Sequence, residues 1–417
     1  MLADFNWLTF QWGIVLRWLA ENYAYILIPF ISGGVGWFTN VIALKMTFFP
    51  LEYRGIGPFG WQGIIPSRAP QMASLSVDLM TSKLIDIREV FDNVDPHEVS
   101  QILHTALKRL TKQLIDEIVD AQSPIPQLWF RLPESSRQPV YERAMQPMPQ
   151  LMEELIAEFK TEIYELLDLK ALAIDTLADD KKLINKIFLE VGKKEFIFIE
   201  NSGFLFGFIF GVPQMFLAYT FNPWWMLPLA GVIVGYLTNY LALFLIFNPI
   251  RERRFLWLRF QGLFVQRKHE VSKKYAEIIA QNILTIDALF DYLLRGPRPQ
   301  RVRAIVKHKI DSAIDAFVGS HALLVAKTLG IHKIETIKNI VHYRLMEELP
   351  VAIRDAFAYT ETQLDIEHVI AIKMQQLSDL EFVDFLRPVF QEDEWKLVLI
   401  GGILGGLAGL IQYFLFF

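Results

Sequence analysis

The chain has 417 residues, of which 53% are hydrophobic, 13% aromatic and 21% charged, and its formal net charge is −5. It is too apolar for an ordinary water-soluble protein and too charged for one embedded wholly in lipid. We therefore expect a few membrane spans joined to sizeable water-facing parts. The acidic balance gives no sign of a nucleic-acid-binding surface. The absence of cysteine from the sequence excludes disulfides, cysteine-ligated zinc and thiol catalysis.

The first 22 residues are rich in aromatic side chains but have neither the basic start nor the small-residue cleavage site of a cleaved signal peptide. Trp7, Trp12 and Trp18, together with Arg17, favour an interfacial helix that leads into the first span. A frayed apolar tail is the alternative. We assign residues 1–22 to an interfacial N-terminal segment.

Four windows meet the requirement of roughly 20 consecutive apolar residues for a transmembrane helix. A short TFNPWW sequence joins the second window to the third, whereas long segments at about 50–195 and 250–395 separate the other neighbours. Because the number of crossings between these two segments is even, both lie on the same side of the membrane. The windows are about Ala24–Phe49, Phe196–Tyr219, Trp225–Phe247 and Leu397–Phe417.

Basic residues decide the orientation of these spans. They are numerous at the span ends next to the long segments, whereas on the other side Arg17 is offset by Asp4 and Glu21. The positive-inside rule therefore places the long segments in the cytoplasm and both termini outside, which predicts a multi-pass protein of a bacterial inner membrane. The basic residues on the long-segment side are Lys45, Arg54, Lys193, Lys194, Arg251, Arg253, Arg254, Arg259 and Lys396.

The chain is internally duplicated. A shift of 199 positions superimposes the first and third windows with the segments that follow them, and a shift of 198 superimposes the second and fourth windows. Each half then consists of a span, a cytoplasmic segment and a returning span. This predicts two parallel repeats, 23–220 and 221–417, related by an axis along the membrane normal. The first comparison matches Gly36, Thr39, Asn40, Ala43, Leu44, Phe48 and Pro50 with Gly235, Thr238, Asn239, Ala242, Leu243, Phe247 and Pro249; the second matches Gly203, Gly207, Gly211 and Gln214 with Gly401, Gly405, Gly409 and Gln412.

The matched glycines and amides predict how the spans pack. Glycines four residues apart lie on one helix face and let two backbones approach closely. Asn40 and Gly207 lie at similar predicted depth, so we expect both Thr-Asn pairs to pack against the glycine faces of the returning spans. An amide in hydrocarbon is stable only where its groups find partners. A transport site at the Thr-Asn pairs is the alternative interpretation.

Each of the first and third windows ends at a proline, which cannot continue the helical hydrogen bonds. A loop-like stretch follows, and then a helical pattern begins at the membrane surface. A helix start beside Arg68, or beside Arg267 and Lys268, is a candidate site for a phosphate, above all that of a lipid headgroup. Ordinary positive-inside anchoring is the alternative.

The rest of each long segment has apolar residues at three- and four-residue spacing, which predicts helices, and no strand alternation lasts beyond a few residues. The proline-rich stretch Ser123–Pro149, with Trp129, is expected to be a distal turn between two long helices. The predicted fold class is an all-α integral membrane protein with four transmembrane helices in two parallel internal repeats and long helical cytoplasmic segments.

Sequence motifs for nucleotide binding, zinc hydrolysis and serine catalysis are absent, and the eight histidines include no pair three or four residues apart. We expect no metal, no cofactor and no enzyme activity. Lys45 and Glu200 are the charged residues well inside the windows, and both lie close enough to an end to reach water. The sequence therefore shows no mid-membrane charge of the kind that ion-coupled transport uses.

Four motifs carry a family resemblance: GWFTNVIALKMTFFPL, VGKKEFIFIENSGFLFGFIFGVPQM, PLAGVIVGYLTNYLALFLIFNPI and LRPVFQEDEWKLVLIGGILGGLAGLIQ. Together they resemble the bacterial domain-of-unknown-function family four-four-five, typified by YheB- and YjiN-type proteins, over nearly the whole chain. The resemblance implies a multi-pass bacterial membrane protein with long helical segments and no assigned reaction. The second half departs from the QGIIPSR form of the first, with Val265 and Gln266 in place of Pro66 and Ser67.

Two functional hypotheses follow. The first is the binding or movement of a lipid or other amphiphile at the cytoplasmic leaflet, motivated by the basic residues at helix starts near the membrane. The second is a structural or scaffolding protein that recruits partners through its helical cytoplasmic body. A channel is disfavoured because four spans rich in small residues leave little room for a pore. Membrane lipids are the expected partners, and self-association into a homo-oligomer fits either hypothesis.

Overall fold

The computed structural model describes residues 3–56, 59–122, 128–221, 223–255, 258–320, 334–388 and 394–416, most of them in α-helices. The chain forms two compact units. The membrane unit comprises Met1–Leu79, Thr176–Tyr275 and Met374–Phe417, and the helical unit comprises Met80–Asp175 and Ala276–Lys373.

The first half of the chain contains α1 (Ala3–Phe48), β1 (Arg54–Ile56), β2 (Phe59–Trp61), α2 (Ile64–Ser67), α3 (Ala69–Lys83), α4 (Ile87–Asp92), α5 (Pro96–Gln122), α6 (Leu128–Arg131), α7 (Glu134–Met145), α8 (Met148–Leu166), α9 (Leu169–Asp179), α10 (Lys181–Val191) and α11 (Lys193–Thr220). The second half contains α12 (Met226–Phe247), β3 (Arg253–Phe255), β4 (Leu258–Phe260), α13 (Leu263–Gln266), α14 (Lys268–Asn282), α15 (Ile286–Arg295), α16 (Pro299–Ser320), α17 (Ile334–Ala352), a 3-10 turn (Ile353–Ala356), α18 (Phe357–Leu364), α19 (Ile366–Gln376), α20 (Asp379–Leu386) and α21 (Glu394–Phe416).

The membrane unit contains four helices that are long and apolar enough to cross a membrane, among the residues described. They are α11, α12, the Asn22–Phe48 part of α1 and the Glu394–Leu415 part of α21. This confirms the all-α fold and four helices long and apolar enough to be the predicted spans. Helices α11 and α21 begin before the predicted apolar windows, because the polar residues that start at Lys193 and at Glu394 are already helical.

Helix α1 runs without a break from Ala3 to Phe48. The segment that the sequence assigns to the interface and the first span therefore belong to one helix. The side chains of residues 1–21 lie outside the described part of the structure, so the interfacial placement of the tryptophans stays a prediction.

Helices α1 and α11 pack against each other antiparallel at glycines. Gly36 faces Gly203, and Ser32, one turn earlier, faces Gly207, one turn later. A Cβ atom built on Gly203 would lie 2.4 Å from Gly36 O, and one built on Gly207 would lie 2.3 Å from Ser32 O. The two backbones are in contact, so positions 203 and 207 of α11 require glycine.

Helices α12 and α21 make the same kind of contact. A Cβ atom on Gly235 would lie 2.1 Å from Gly401 O, and one on Gly231 would lie 2.2 Å from Gly405 O. The contacts involve earlier residues of α12 as they involve later residues of α21, so this pair of helices is also antiparallel. Near the short α11–α12 connection, Ile28, Ala218, Met226 and Leu227 form a buried cluster that joins α1, α11 and α12.

Short β-hairpins follow α1 and α12, where the sequence predicts loops. Strands β1 and β2 pair antiparallel, as do β3 and β4, and each strand has three residues. Strands this short contain too few residues to show an alternating pattern, which is why the sequence does not reveal them.

A Gln-Gly pair closes each hairpin onto the end of the preceding span. Gln62 Nε2 donates to Leu51 O at 2.7 Å, and Gly63 N donates to Pro50 O at 2.9 Å. A side chain on Gly63 would meet the Phe48 backbone at 2.7 Å, so glycine is required there. The second half repeats these bonds, from Gln261 Nε2 to Ile250 O at 3.1 Å and from Gly262 N to Pro249 O at 2.9 Å.

In the helical unit, α5 packs against α7, α8 and α17, and α16 packs against α8 and α17. The stretch Ser123–Pro149, predicted as a distal turn, contains helices α6 and α7 in its described part, and residues 123–127 lie outside that part. Two of its prolines mark helix starts, since Pro133 precedes α7 and Pro147 precedes α8, whereas Pro139 lies within α7. Trp129 Nε1 donates to Asp116 Oδ1 at 2.6 Å and ties this stretch to α5.

Adjacent glycines on α21 test the backbone contact. A Cβ atom on Gly401 would lie 2.4 Å from Asn239 Nδ2, whereas one on Gly402 meets nothing closer than 3.6 Å. We expect Gly401→Ala to lower the free energy of unfolding by about 1–3 kcal/mol, because the helices must separate. Gly402→Ala should leave it unchanged. Thermal unfolding of both variants in one detergent measures the difference, and equal midpoints would contradict the contact.

Candidate functional site

The two asparagines that the sequence singles out lie in the interior of the span pairs. Asn40 and Asn239 are 0% and 3% exposed. Asn40 Nδ2 donates to Ile199 O at 2.5 Å, and Asn239 Nδ2 donates to Leu397 O at 2.7 Å. In both residues Oδ1 is buried and has no hydrogen-bond partner among the residues described. Each amide therefore donates to a carbonyl of the facing span and keeps one unused acceptor.

The threonines beside these amides bond within their own helices. Thr39 Oγ1 donates to Gly36 O at 3.0 Å, and Thr238 Oγ1 donates to Gly235 O at 3.1 Å. The accepting glycines are the ones at the backbone contacts. The hydroxyl protons are thus used locally, as is common for threonine in an apolar helix.

The two glutamines differ in their surroundings. Ser32 Oγ donates to Gln214 Oε1 at 3.0 Å. The position 199 residues after Ser32 is Gly231, which has no hydroxyl. Gln412 Nε2 is buried and has no hydrogen-bond partner within the described residues. The polar contacts of the two span pairs are therefore alike at the asparagines and different at the glutamines.

The asparagine and glycine contacts between facing spans are of the kind that hold two helices together. The amide donors bond to backbone carbonyls of facing helices, and the glycine faces that receive them leave no space for a larger side chain. The transport alternative would use the same Asn40 and Asn239 side chains, and functional measurement separates the two.

Isosteric variants provide that measurement. Asn40→Leu removes the donor and places a larger methyl group against Gly203, so we expect a loss of about 1–2 kcal/mol in the free energy of unfolding. Asn239→Leu should behave alike, whereas Asn201→Leu, at an exposed position of α11, should not. Unfolding in detergent provides the comparison. Wild-type stability combined with lost lipid transfer between vesicles would favour the transport alternative.

The predicted headgroup residues lie at the helix starts, as the sequence indicates. Arg68 and Arg267 immediately precede α3 and α14, and Lys268 is the first residue of α14. Arg267 is held between two carboxylates: Nη1 contacts Glu195 Oε1, and Nε and Nη2 contact the two oxygens of Glu270 at 3.0 and 2.9 Å.

In this ion-pair cluster, the positive charge of Arg267 that a phosphate would need is already paired with carboxylates. Glu195 is fully buried, and hydrogen bonds from Arg267 and Lys194 lower the pKa of Glu270 from 4.5 to about 2. Lys268 Nζ donates to Leu377 O and lies 3.6 Å from Asp379 Oδ1. A phosphate would have to compete with these partners, and a headgroup role for Arg68, Arg267 and Lys268 stays a prediction.

A second candidate site lies in the helical unit, where five helices enclose an apolar cavity of about 270 Å³. Helices α5, α7 and α8 of the first half and α16 and α17 of the second half provide its walls. Thr111 is the polar side chain in the described lining, and its hydroxyl is directed at Met145 Sδ at 3.7 Å. The cavity is therefore suited to a hydrocarbon group.

Ion pairs connect the helices that line this cavity. They are Lys338 Nζ with Asp315 Oδ1 at 2.7 Å between α16 and α17, Lys309 Nζ with Glu158 Oε2 at 3.1 Å between α16 and α8, and Arg344 Nε with Glu117 Oε2 at 2.7 Å between α17 and α5. His342 Nε2 of α17 also lies 3.2 Å from Asp311 Oδ1 of α16. Burial lowers the pKa of His342, which favours its neutral form. Partly exposed ion pairs contribute about 0–1 kcal/mol each, so these contacts fix the helices only weakly.

The sequence does not reveal this cavity. Apolar spacing predicts the five helices, but the space that remains between them depends on how their side chains meet. Among the described residues, no three His, Asp or Glu side chains come together in a way that would hold a metal ion.

Comparison of the chain with protein-family models, with curated proteins and with solved structures finds no match. The resemblance to the domain-of-unknown-function family therefore stays a prediction.

Proposed function

We propose that this chain is a lipid-binding protein of the bacterial inner membrane, which holds an acyl chain of a lipid or similar amphiphile in the cavity of its helical unit. The observation that supports the proposal is an apolar cavity in the helical unit of a chain that also has four candidate spans. An apolar ligand of such a protein is most directly obtained from the membrane itself.

The size of the cavity supports a hydrocarbon ligand. An apolar cavity of roughly 150 Å³ stays dry and binds benzene. The cavity here, at about 270 Å³, has nearly twice that volume, which is room for a segment of an acyl chain. Each methylene group moved from water into such a site contributes about 0.8 kcal/mol. The apolar walls cannot satisfy a polar headgroup, which would remain outside the cavity.

The topology that accompanies this proposal is two parallel repeats with the long segments in the cytoplasm and both termini outside. It is supported by the matched antiparallel span pairs, by the matched hairpins and by the basic residues at one set of span ends. Helices from both repeats line the cavity, so the binding site would need both halves of the duplicated chain.

The alternative is a scaffolding protein whose helical unit recruits protein partners. Its cavity would then be an unfilled packing space without a ligand. The two functions differ in one measurable property, which is whether lipid stays bound to the purified chain.

Two alanines of α16 provide a matched test. Ala313 lines the cavity, whereas Ala304 is exposed on the same helix. We expect Ala313→Trp to reduce binding of a fluorescent fatty acid at least about tenfold, because the indole fills space that the chain needs. Ala304→Trp should bind like the wild type. Titration of delipidated protein in detergent measures the affinities.

Ala144→Phe places a larger side chain in the cavity from a different helix, α7. With two such variants, the misfolding of one of them does not decide the test. All variants are checked for wild-type unfolding temperature. Wild-type affinity in both filled variants would contradict the cavity as the site. An absence of fatty acid binding by the wild-type protein, with a dominant crosslinked protein partner in cells, would favour the scaffold.

A further inference from the structure

A second pocket, of about 570 Å³, lies in the membrane unit where α12 ends and α21 begins. Phe247 and Glu394 mark those ends, so the pocket lies at the end of two candidate spans, at the level where a membrane meets water. Among the described residues, its walls combine aromatic side chains with one cation and one anion. The residues that matter are Tyr236, Tyr240, Phe244, Arg387, Glu394 and Trp395.

The aromatic side chains of this pocket are exposed on the surface of the spans. Tyr236, Tyr240 and Phe244 follow one another at four-residue spacing on α12, and Trp395 is exposed on α21. The rings of Tyr240 and Phe244 stack at 6.2 Å. When the spans cross a bilayer, this stripe faces lipid and leads along α12 into the pocket.

The two charged groups of the pocket form an open pair. Arg387 Nε lies 3.9 Å from Glu394 Oε1, which is too long for a hydrogen bond. Arg387 Nε is buried and has no hydrogen-bond partner among the residues described. The pocket thus presents a donor that favours an anion and a carboxylate that favours a cation, a short distance apart.

Two of the three rings on α12 are particular to the second half of the chain, whereas Tyr236 has Trp37 as its counterpart. The positions 199 residues before Tyr240 and Phe244 are Val41 and Lys45, so the first half has neither ring. Glycines make the backbone contacts between α12 and α21, and Tyr240 and Phe244 are not among the atoms that those glycines face. These two rings therefore have no role in the glycine contacts that both halves share.

We infer that this pocket binds a zwitterionic phospholipid with a primary amine, of the phosphatidylethanolamine type. Arg387 binds the phosphate, Glu394 accepts hydrogen bonds from the ammonium group, and the aromatic stripe packs against the glycerol and acyl chains. The short ethylene link of the headgroup places its two charges close together, as the open pair requires. This site is separate from the cavity of the helical unit and does not depend on it.

The chemistry of the pocket disfavours other headgroups. A phosphatidylglycerol headgroup has one negative charge and would meet the Glu394 carboxylate without a cation to balance it. A choline headgroup has a quaternary nitrogen without N–H donors, so it cannot hydrogen-bond to Glu394. Selectivity among the three headgroups is thus the property to measure.

The test uses the full chain, purified into micelles that contain equal amounts of phosphatidylethanolamine and phosphatidylglycerol, with retained lipid counted by native mass spectrometry. We expect the wild type to retain the amine lipid about fivefold better, as a partly exposed ion pair allows. Glu394→Gln should abolish this preference, and Arg387→Met should reduce retention of both lipids. Glu200→Gln, an acid-to-amide change in the returning span of the first half, should change neither.

Tyr240→Val introduces the side chain found at position 41 and should weaken retention without disturbing the fold. Unfolding temperatures identify any variant that is merely destabilised. Equal retention of the two lipids by the wild type, or an unchanged preference in folded Glu394→Gln, would overturn the inference. So would retention of phosphatidylcholine equal to that of the amine lipid.

Two further measurements test whether the pocket binds the whole lipid and whether it acts separately from the cavity of the helical unit. Excess inorganic phosphate should leave retention unchanged, and loss of lipid on its addition would mean that the pocket binds a free anion. Ala313→Trp, which fills the cavity of the helical unit, should keep the headgroup preference. If it does not, the two sites are one function and the separate site proposed here is wrong.

Discussion

The membrane unit depends on backbone contact at glycine between facing spans. Because no side chain separates Gly36 from Gly203, or Gly235 from Gly401, the amides of Asn40 and Asn239 reach carbonyl oxygens of the facing helix. Hydrocarbon offers no water to a polar group, so these amides are tolerable only at such short range. Pro50 and Pro249 lie just beyond the ends of α1 and α12, and the Gln-Gly pairs attach the hairpins to those ends.

The sequence predicts the spans and their glycine faces because these features are local and periodic. Apolar length identifies a span, and glycines four residues apart identify a face. The matched sequence patterns of the two halves strengthen both predictions, since each half repeats the signal. The hairpins escape prediction because three residues show no alternation, and the Gln-Gly pairs gain a meaning only once Gly63 and Gly262 are seen against the ends of the spans.

Features that join distant parts of the chain could not be predicted. Arg267 is next to a helix start, which suggests an anion site, yet its partner Glu195 precedes it by 72 residues. The sequence around Arg267 gives no sign that the guanidinium is already paired with a distant carboxylate. The cavity of the helical unit is similar, because its volume remains between helices of both halves and belongs to none of them alone.

The two halves share a scaffold but differ in chemistry. The asparagine contacts recur in both, whereas the Ser32–Gln214 bond has no equivalent at Gly231 and Gln412. The Tyr240 and Phe244 rings also have no aromatic counterpart in the first half, where Val41 and Lys45 stand at the matching positions. The two span pairs therefore share their glycine contacts but not all of their polar side chains.

The central claim is that the helical unit binds hydrocarbon, and a density map of the protein in native lipid tests it most directly. Our account predicts an elongated density between α5, α8, α16 and α17, bordered by apolar side chains such as Leu110, Ile310 and Val341. Side chains that close the space, with no density between them in a well-ordered helical unit, would contradict it.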